Sequence, residues 1–176
     1  GHKVLPLPSH DGLIEAEELG QFLHAHFSDS EPEHMVQPGM VYVSYPSELG
    51  TLYTKQQLTA ISHICHTYHL PLFVDGARLG YGLMSPQSDI TLQELAQLAD
   101  IFYIGGTKQG ALFGEAVVIT NEVLKRDFRY FIKQNGGMLA KGRLLGIQFE
   151  VLFGECGADG DILYFALARH AIEQAM

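Results

Sequence analysis

The chain has 176 residues, room for one medium domain with a substantial core. With 47% hydrophobic and 18% charged residues it reads as globular, and a formal charge of −9 argues against a nucleic-acid or anionic-lipid surface. No apolar run approaches transmembrane length, and the two cysteines, Cys65 and Cys156, form no CxxC pair, which fits reduced thiols in a cytoplasmic protein.

Taken in chain order, residues 3–7 (KVLPL) read as a short extended run, kept to a sheet edge by Pro6 and Pro8. Asp11-Gly12 marks a turn. Leu19, Phe22, Leu23 and Phe27 recur at helical spacing and predict a helix over 15–27. The polar stretch 28–39, with two prolines, is a surface loop. Residues 41–44 (VYVS) form a short strand. Thr54, with Gln57 three residues on, makes a capping box for a helix whose stripe is Leu58, Ile61, Ile64, Cys65 and Tyr68. Residues 72–74 (LFV) are an apolar strand ending at Asp75. Thr91 and Glu94 make a second capping box, for a helix through Ala99. Residues 101–104 (IFYI) are another apolar strand, ending at Gly105-Gly106, and 115–119 (EAVVI) a further one. Asn121 caps a helix expected to stop at Gly136, and 139–153 and 161–176 read as two more helices. The glycine-rich stretch 154–160 between them is the best hinge candidate.

Apolar strands separated by helices predict an α/β fold, a mainly parallel sheet sandwiched by helices in αβα layers. Chemistry in such sheets gathers at the carboxyl ends of strands. Two strand ends carry suitable groups. At the first, Asp75 is followed by Gly76, Ala77 and Arg78; a carboxylate there is costly without a cationic partner. An Asp75–Arg78 ion pair that merely closes a turn is the plainer alternative. At the second, Lys108 lies in Gly-Gly-Thr-Lys-Gln-Gly, without the Gly-Lys-Ser/Thr order of a phosphate-binding Walker loop. A solvated loop lysine is the alternative there. The two sites are 33 residues apart, enough for one turn, one crossover helix and the next strand. A strand-end aspartate and a strand-end lysine are the two parts that a pyridoxal 5′-phosphate (PLP) site requires: the amine for a Schiff base, the carboxylate for the pyridine nitrogen.

Other clusters have plainer readings. His63, His66 and His69 recur every three residues and predict a solvated helix face rather than a metal site. His24 and His26 are expected at the surface, Cys65 in the core, and Tyr45 and Tyr53 in packing. Lys125, Arg126 and Arg129 read as the polar side of a helix.

Residues 73–79 (FVDGARL) followed by 104–114 (IGGTKQGALFG) resemble the threonine aldolase and β-eliminating lyase group of PLP enzymes, which share the aspartate aminotransferase fold (fold type I). Residues 1–4 (GHKV) and 142–146 (GRLLG) look like further segments of that family. The resemblance implies that Lys108 is the Schiff-base lysine and a proton shuttle, and that Asp75 pairs with the pyridinium nitrogen. It places Ala77 near the ring face and gives Arg78 the substrate carboxylate or a supporting contact to the cofactor. Thr107 stands where the family often has serine and becomes a supporting donor. Arg143 falls in an Arg-x-x-Gly context that serves the cofactor phosphate or a subunit contact. The implied reaction is cleavage of a β-hydroxy amino acid to glycine and an aldehyde, with β-elimination, racemisation and a catalytically inactive remnant of the fold as alternatives. The implied partners are an amino-acid substrate and further copies of the chain, as homodimer or homotetramer.

Two departures stand out. The segment 44–50 (SYPSELG) lacks the Asn-Thr-His run of threonine aldolases, and Thr-Lys-Gln replaces their usual Ser-Lys-Gly. Glu48 in that segment is a candidate base or a plain surface glutamate. The phosphate cup and ring-stacking residue that the family carries upstream, and its small carboxyl-terminal domain, find no counterpart. The expectation is therefore a fragment, with residues 1–154 part of the PLP-binding large domain and 155–176 the start of a helix leading to a second domain.

Overall fold

A computed structural model describes residues 2–175. Gly1 and Met176, which belong to the readings of 1–4 and 161–176, lie outside the described residues. Helix α1 (Ala16–Phe27) buries Leu19 and Leu23 and leaves its polar side to solvent. Strand β1 (Val41–Ser44) leads to α2 (Lys55–Thr67), β2 (Leu72–Asp75), the short α3 (Leu79–Met84) and α4 (Leu92–Leu98). Strands β3 (Ile101–Gly105) and β4 (Glu115–Ile119) complete the sheet, and α5 (Glu122–Lys125), α6 (Phe128–Gln134), α7 (Arg143–Gly154) and α8 (Leu163–Ala175) follow.

The four strands are ordered β1-β2-β3-β4. The first two pairings are parallel, Val41 opposite Leu72 and Val74 opposite Phe102, and β4 returns antiparallel with Tyr103 opposite Val117. The fold is thus the expected α/β arrangement, mainly parallel with helices flanking the sheet. Side chains alternate across a strand. One face carries Val41, Val43, Leu72, Val74, Phe102 and Ile104, all buried in one cluster with Leu58, Ile61 and Cys65 of α2, Leu79 and Leu83 of α3, and Leu95 of α4. Each fully buried aliphatic contributes roughly 1.5–3 kcal/mol. Helical cover of the other face is unequal: Tyr42 and Val117 there are each about half exposed.

Both capping boxes form. The Thr54 and Thr91 side chains accept from the Gln57 and Glu94 N–H groups, and those two side chains accept from the Thr54 and Thr91 N–H groups in return. Several boundaries differ from the sequence reading, each for a local reason. Residues 3–7 pair with no strand; Pro6 and Pro8 lack the donors a ladder needs, and the only pairing nearby is a bridge between His10 and Leu13. The helix expected from Asn121 to Gly136 is broken into α5 and α6 by Asp127, which adopts φ 58°. The helix expected at 139 begins only at Arg143. Within the 28–39 loop, Pro32–His34 makes one 3-10 turn. The helix α3 was not anticipated, because its two glycines mask its Leu79–Leu83 spacing. His26, expected at the surface, is half buried and its ring stacks on Phe22. Cys65, Tyr45 and Tyr53 are buried as expected, and no cluster of metal-binding side chains occurs among the described residues. Residues 154–160 turn the chain back, held by a bridge between Cys156 and Ile162, so that α8 packs along α3 and α7.

The tightest point of the fold lies where β2 and β3 end. The Gly105 N–H donates to the Gly76 carbonyl at 2.9 Å. A Cβ on Gly76 would sit 1.9 Å from the Tyr103 carbonyl oxygen, and one on Gly105 would sit 2.3 Å from that of Ala77. Neither position tolerates a side chain without moving backbone. Gly76→Ala is therefore expected to cost about 1–3 kcal/mol or more, a fall of roughly 2–12 °C in thermal midpoint. Gly39→Ala, where a Cβ meets nothing within 4 Å, serves as the control and should leave the midpoint within about 2 °C. Equal midpoints for the two variants would show that the strand ends are looser than this packing implies.

Candidate active site

The pair of glycines brings two loops into backbone contact, one carrying Asp75 to Arg78 and the other Thr107 to Gln109. Asp75 is the last residue of β2 and lies half-buried on the more open face of the sheet. Its Oδ1 accepts from the Ala77 N–H at 2.9 Å, and its Oδ2 accepts from the Tyr42 hydroxyl. The register explains the second contact: Ser44 of β1 pairs with Asp75, and Tyr42, two residues earlier, shares the same face. Tyr103 of β3 reaches the carboxylate from the other side. Phe73 lies between these two rings, stacked on Tyr42 at 5.2 Å and edge-on to Tyr103 at 6.0 Å.

These neighbours set the charge of Asp75. Burial pushes its carboxyl up. The Tyr103 and Tyr42 hydroxyls, the Ala77 N–H and the positive charge of Lys108 outweigh that and hold it below the usual carboxylate range. Both phenols are correspondingly pushed up, by burial first and then by the carboxylate, Tyr42 to about 12. The site therefore holds a fixed negative charge at neutral pH, framed by protonated phenols.

Lys108 is exposed in the turn after β3, and its side chain makes no ion pair or hydrogen bond among the described residues. Its carbonyl accepts from the Tyr81 hydroxyl of α3. Arg78 precedes α3, half buried, and no ion pair or hydrogen bond engages its guanidinium among the described residues. The Asp75–Arg78 ion pair that would have made this a plain turn is not formed; Asp75 takes its hydrogen bonds from Tyr42 and Ala77 instead. Thr107 is exposed beside Lys108. Arg143 opens α7 and is exposed. That helix borders the lysine loop: the Gln148 side chain accepts from the Leu112 N–H at 2.6 Å, and Phe149 packs near Gly106. Glu48 lies on the surface, where its Oε1 accepts from the Ser44 hydroxyl.

Tyr42, Tyr81 and Tyr103 escaped the sequence reading. Strand alternation was the available signal for two of them, since Tyr42, Phe73, Asp75 and Tyr103 all fall on one face once the register is known. Tyr81 had none, because it depends on the unanticipated α3.

Known proteins resemble this chain in sequence and fold. The family model for beta-eliminating lyases matches residues 1–171. A low specificity L-threonine aldolase from Pseudomonas aeruginosa is 31% identical over 137 residues, which is 76% of this chain and 40% of the relative. A second, from a Pseudomonas species, is 36% identical over 114 residues, 64% of this chain and 32% of the relative. Among solved structures, threonine aldolase from Leishmania major superposes with a TM-score of 0.88 at 48% identity, over 99% of this chain and 48% of that one. A PLP-bound C-S lyase from Staphylococcus hominis, 17% identical with a TM-score of 0.57 over 96% of this chain and 40% of that one, shares the fold. The chain thus spans less than half the length of each of these proteins.

Removing the Tyr42 hydroxyl deletes one donor to Asp75. In Tyr42→Phe the Asp75 pKa should rise, read from the carboxyl-carbon NMR signal through an acid titration. Because the folded-state value lies below the unfolded one, the stability Asp75 contributes is complete above the ordinary carboxylate pKa. It drains as pH falls through the folded-state value, and the variant moves that loss to higher pH. An unchanged titration would remove Tyr42 from the site's electrostatics.

Proposed function

The chain belongs to the beta-eliminating lyase family, and we propose that it supplies the cofactor-holding part of a PLP-dependent lyase that cleaves a β-hydroxy amino acid to glycine and an aldehyde. The observation that carries this reading is the pairing of a carboxylate held ionised with an unpaired amine across two backbone-packed strand ends. The donor set fits PLP. Asp75 stays negative at neutral pH, as a partner for a protonated pyridine nitrogen must, and Lys108 has no competing ion pair among the described residues. The threonine aldolase names of the relatives at 31% and 48% identity support the reaction class.

Bound PLP supplies a conjugated ring that takes up the electron pair left when a bond at the amino-acid α-carbon breaks. The chain's own residues do the rest. Asp75 would accept a charge-assisted hydrogen bond from the ring nitrogen and would keep the proton there. The Lys108 amine would hold the cofactor and would carry a proton to or from the substrate α-carbon. Arg78 binds the substrate carboxylate with its planar fork, an assignment its lack of other partners supports. Ala77 would lie near the ring face, Thr107 would act as a supporting donor, and Arg143 would serve the cofactor phosphate or a subunit contact. Association into a homodimer or homotetramer belongs to the same proposal; the exposed Leu144, Ile147 and Val151 stripe of α7 supports it. Among the described residues no helix is long and apolar enough to cross a membrane. The free thiols of Cys65 and Cys156 suit the cytoplasm.

Purified chain given PLP and then borohydride should gain a pyridoxyl group on Lys108, read by peptide mass, and Lys108→Ala should gain none. Threonine should yield glycine and acetaldehyde. Asp75→Asn should lower that rate by about tenfold or more, since a charge-assisted hydrogen bond is worth roughly 1.5–3 kcal/mol. Labelling elsewhere than Lys108 would overturn the site assignment. 2-Oxobutanoate and ammonia in place of glycine and acetaldehyde would move the reaction to elimination.

A further inference from the structure

The residue after Lys108 points the opposite way, into the interior. Gln109 is 2% exposed, where the resemblance would place a glycine. Its Oε1 accepts from the Gly80 N–H at 3.0 Å and from the Tyr164 hydroxyl at 2.7 Å. Tyr164, 1% exposed on α8, also lies 3.0 Å from the Gly105 carbonyl and 3.3 Å from the Gly80 N–H. Its ring is stacked on Phe153 at 4.9 Å and meets Phe165 edge-on at 5.5 Å, which fixes where the hydroxyl sits. The Gly80 N–H can only donate, so the amide must present its oxygen there. Its Nε2 is then left buried without a partner.

That arrangement is costly. A buried donor without a partner costs about 1–3 kcal/mol, whereas an apolar side chain of the same shape, with apolar partners, would be close to neutral. Core packing alone would favour Leu or Met at 109 and Phe at 164. The polar pair is explained by what it joins. Gly105 ends β3, Gly80 lies in the helix that follows the Asp75 loop, and Gln109 is bonded to Lys108. Tyr81, next to Gly80, holds the Lys108 carbonyl. The lysine turn is closed from within by Gln109 N–H and Ala111 N–H donating to the Gly106 carbonyl at 2.9 and 3.0 Å. The Lys108 side chain makes no ion pair or hydrogen bond among the described residues.

We infer that Gln109 and Tyr164 are positioning residues for Lys108: the buried oxygen pair locks the lysine turn to α3, and through α3 to the Asp75 loop, so that amine and carboxylate keep a fixed separation. Helix α8 thereby takes part in the site. The inference rests on the reading of Lys108 as the cofactor-bearing residue. Burial pushes the Tyr164 phenol well up, so the lock stays protonated throughout the pH range in which the lysine works.

Tyr164→Phe removes one oxygen and keeps the ring stack; Gln109→Met removes the acceptor at similar volume. Two readouts separate positioning from general support. Backbone hydrogen exchange across 105–111 should rise about five- to tenfold in each variant, the change one lost hydrogen bond carries, with exchange across 41–44 and 72–75 unaltered. Borohydride trapping of PLP on Lys108 should slow by a similar factor and its pH midpoint should shift. Unchanged exchange across 105–111 overturns the inference, as does faster exchange everywhere alike or an unmoved trapping profile. Failure of the wild-type chain to trap PLP on Lys108 would instead overturn the functional reading, and the exchange pattern alone would then decide the lock. Should Gln109→Met not fold, Tyr164→Phe carries the test.

Discussion

Two parallel strands end within backbone contact of each other, and the site depends on that contact. Strand neighbours normally lie about 4.8 Å apart with side chains above and below. Past the ends of β2 and β3 the chains draw closer still, Gly76 against the Tyr103 carbonyl and Gly105 against that of Ala77. Only residues without a Cβ permit this. The consequence is chemical: the residue before one glycine is the carboxylate, and the residue three after the other is the amine. Neither reaches the crevice on a long flexible arm of backbone. Each is carried there by a buried apolar strand that the core already fixes.

The surroundings divide the work between the two groups. Around Asp75 the neighbours are aromatic and hydroxylic, so the carboxylate is partly desolvated yet well hydrogen-bonded, and its charge persists. Around Lys108 the neighbours bind backbone and leave the side chain alone. A carboxylate that must stay charged and an amine that must stay available have opposite needs. The sheet face supplies phenols to the first, and helices α3 and α8 supply anchors beside the second. Arg78, whose guanidinium has no ion pair or hydrogen bond among the described residues, stands just before α3.

Much of this was legible in the chain. The strands were read because each is a compact apolar run, and the capping boxes because their spacing is fixed by the first helical turn. Asp75 and Lys108 stand out because polar groups directly after apolar runs are conspicuous. Where the reading failed, the cause was local and non-periodic: a left-handed Asp127 inside a helical pattern, two glycines inside α3, prolines in an otherwise extended run. The tyrosines around Asp75 were missed for a different reason. They come from β1 and β3, whose relation to β2 is a matter of register.

The amino-acid sequence by itself determined the α/β class, the order of the elements and the identity of the two chemical groups, because hydrophobic period and turn residues are properties of short windows. Tertiary structure decided which hydroxyls flank the carboxylate, that Arg78 is free rather than paired with Asp75, and that Gln109 and Tyr164 meet from 55 residues apart in the chain. Those outcomes depend on strand register and on the angle at which α8 returns to α3. Both are set by packing many buried side chains at once, and no short window of sequence contains that sum.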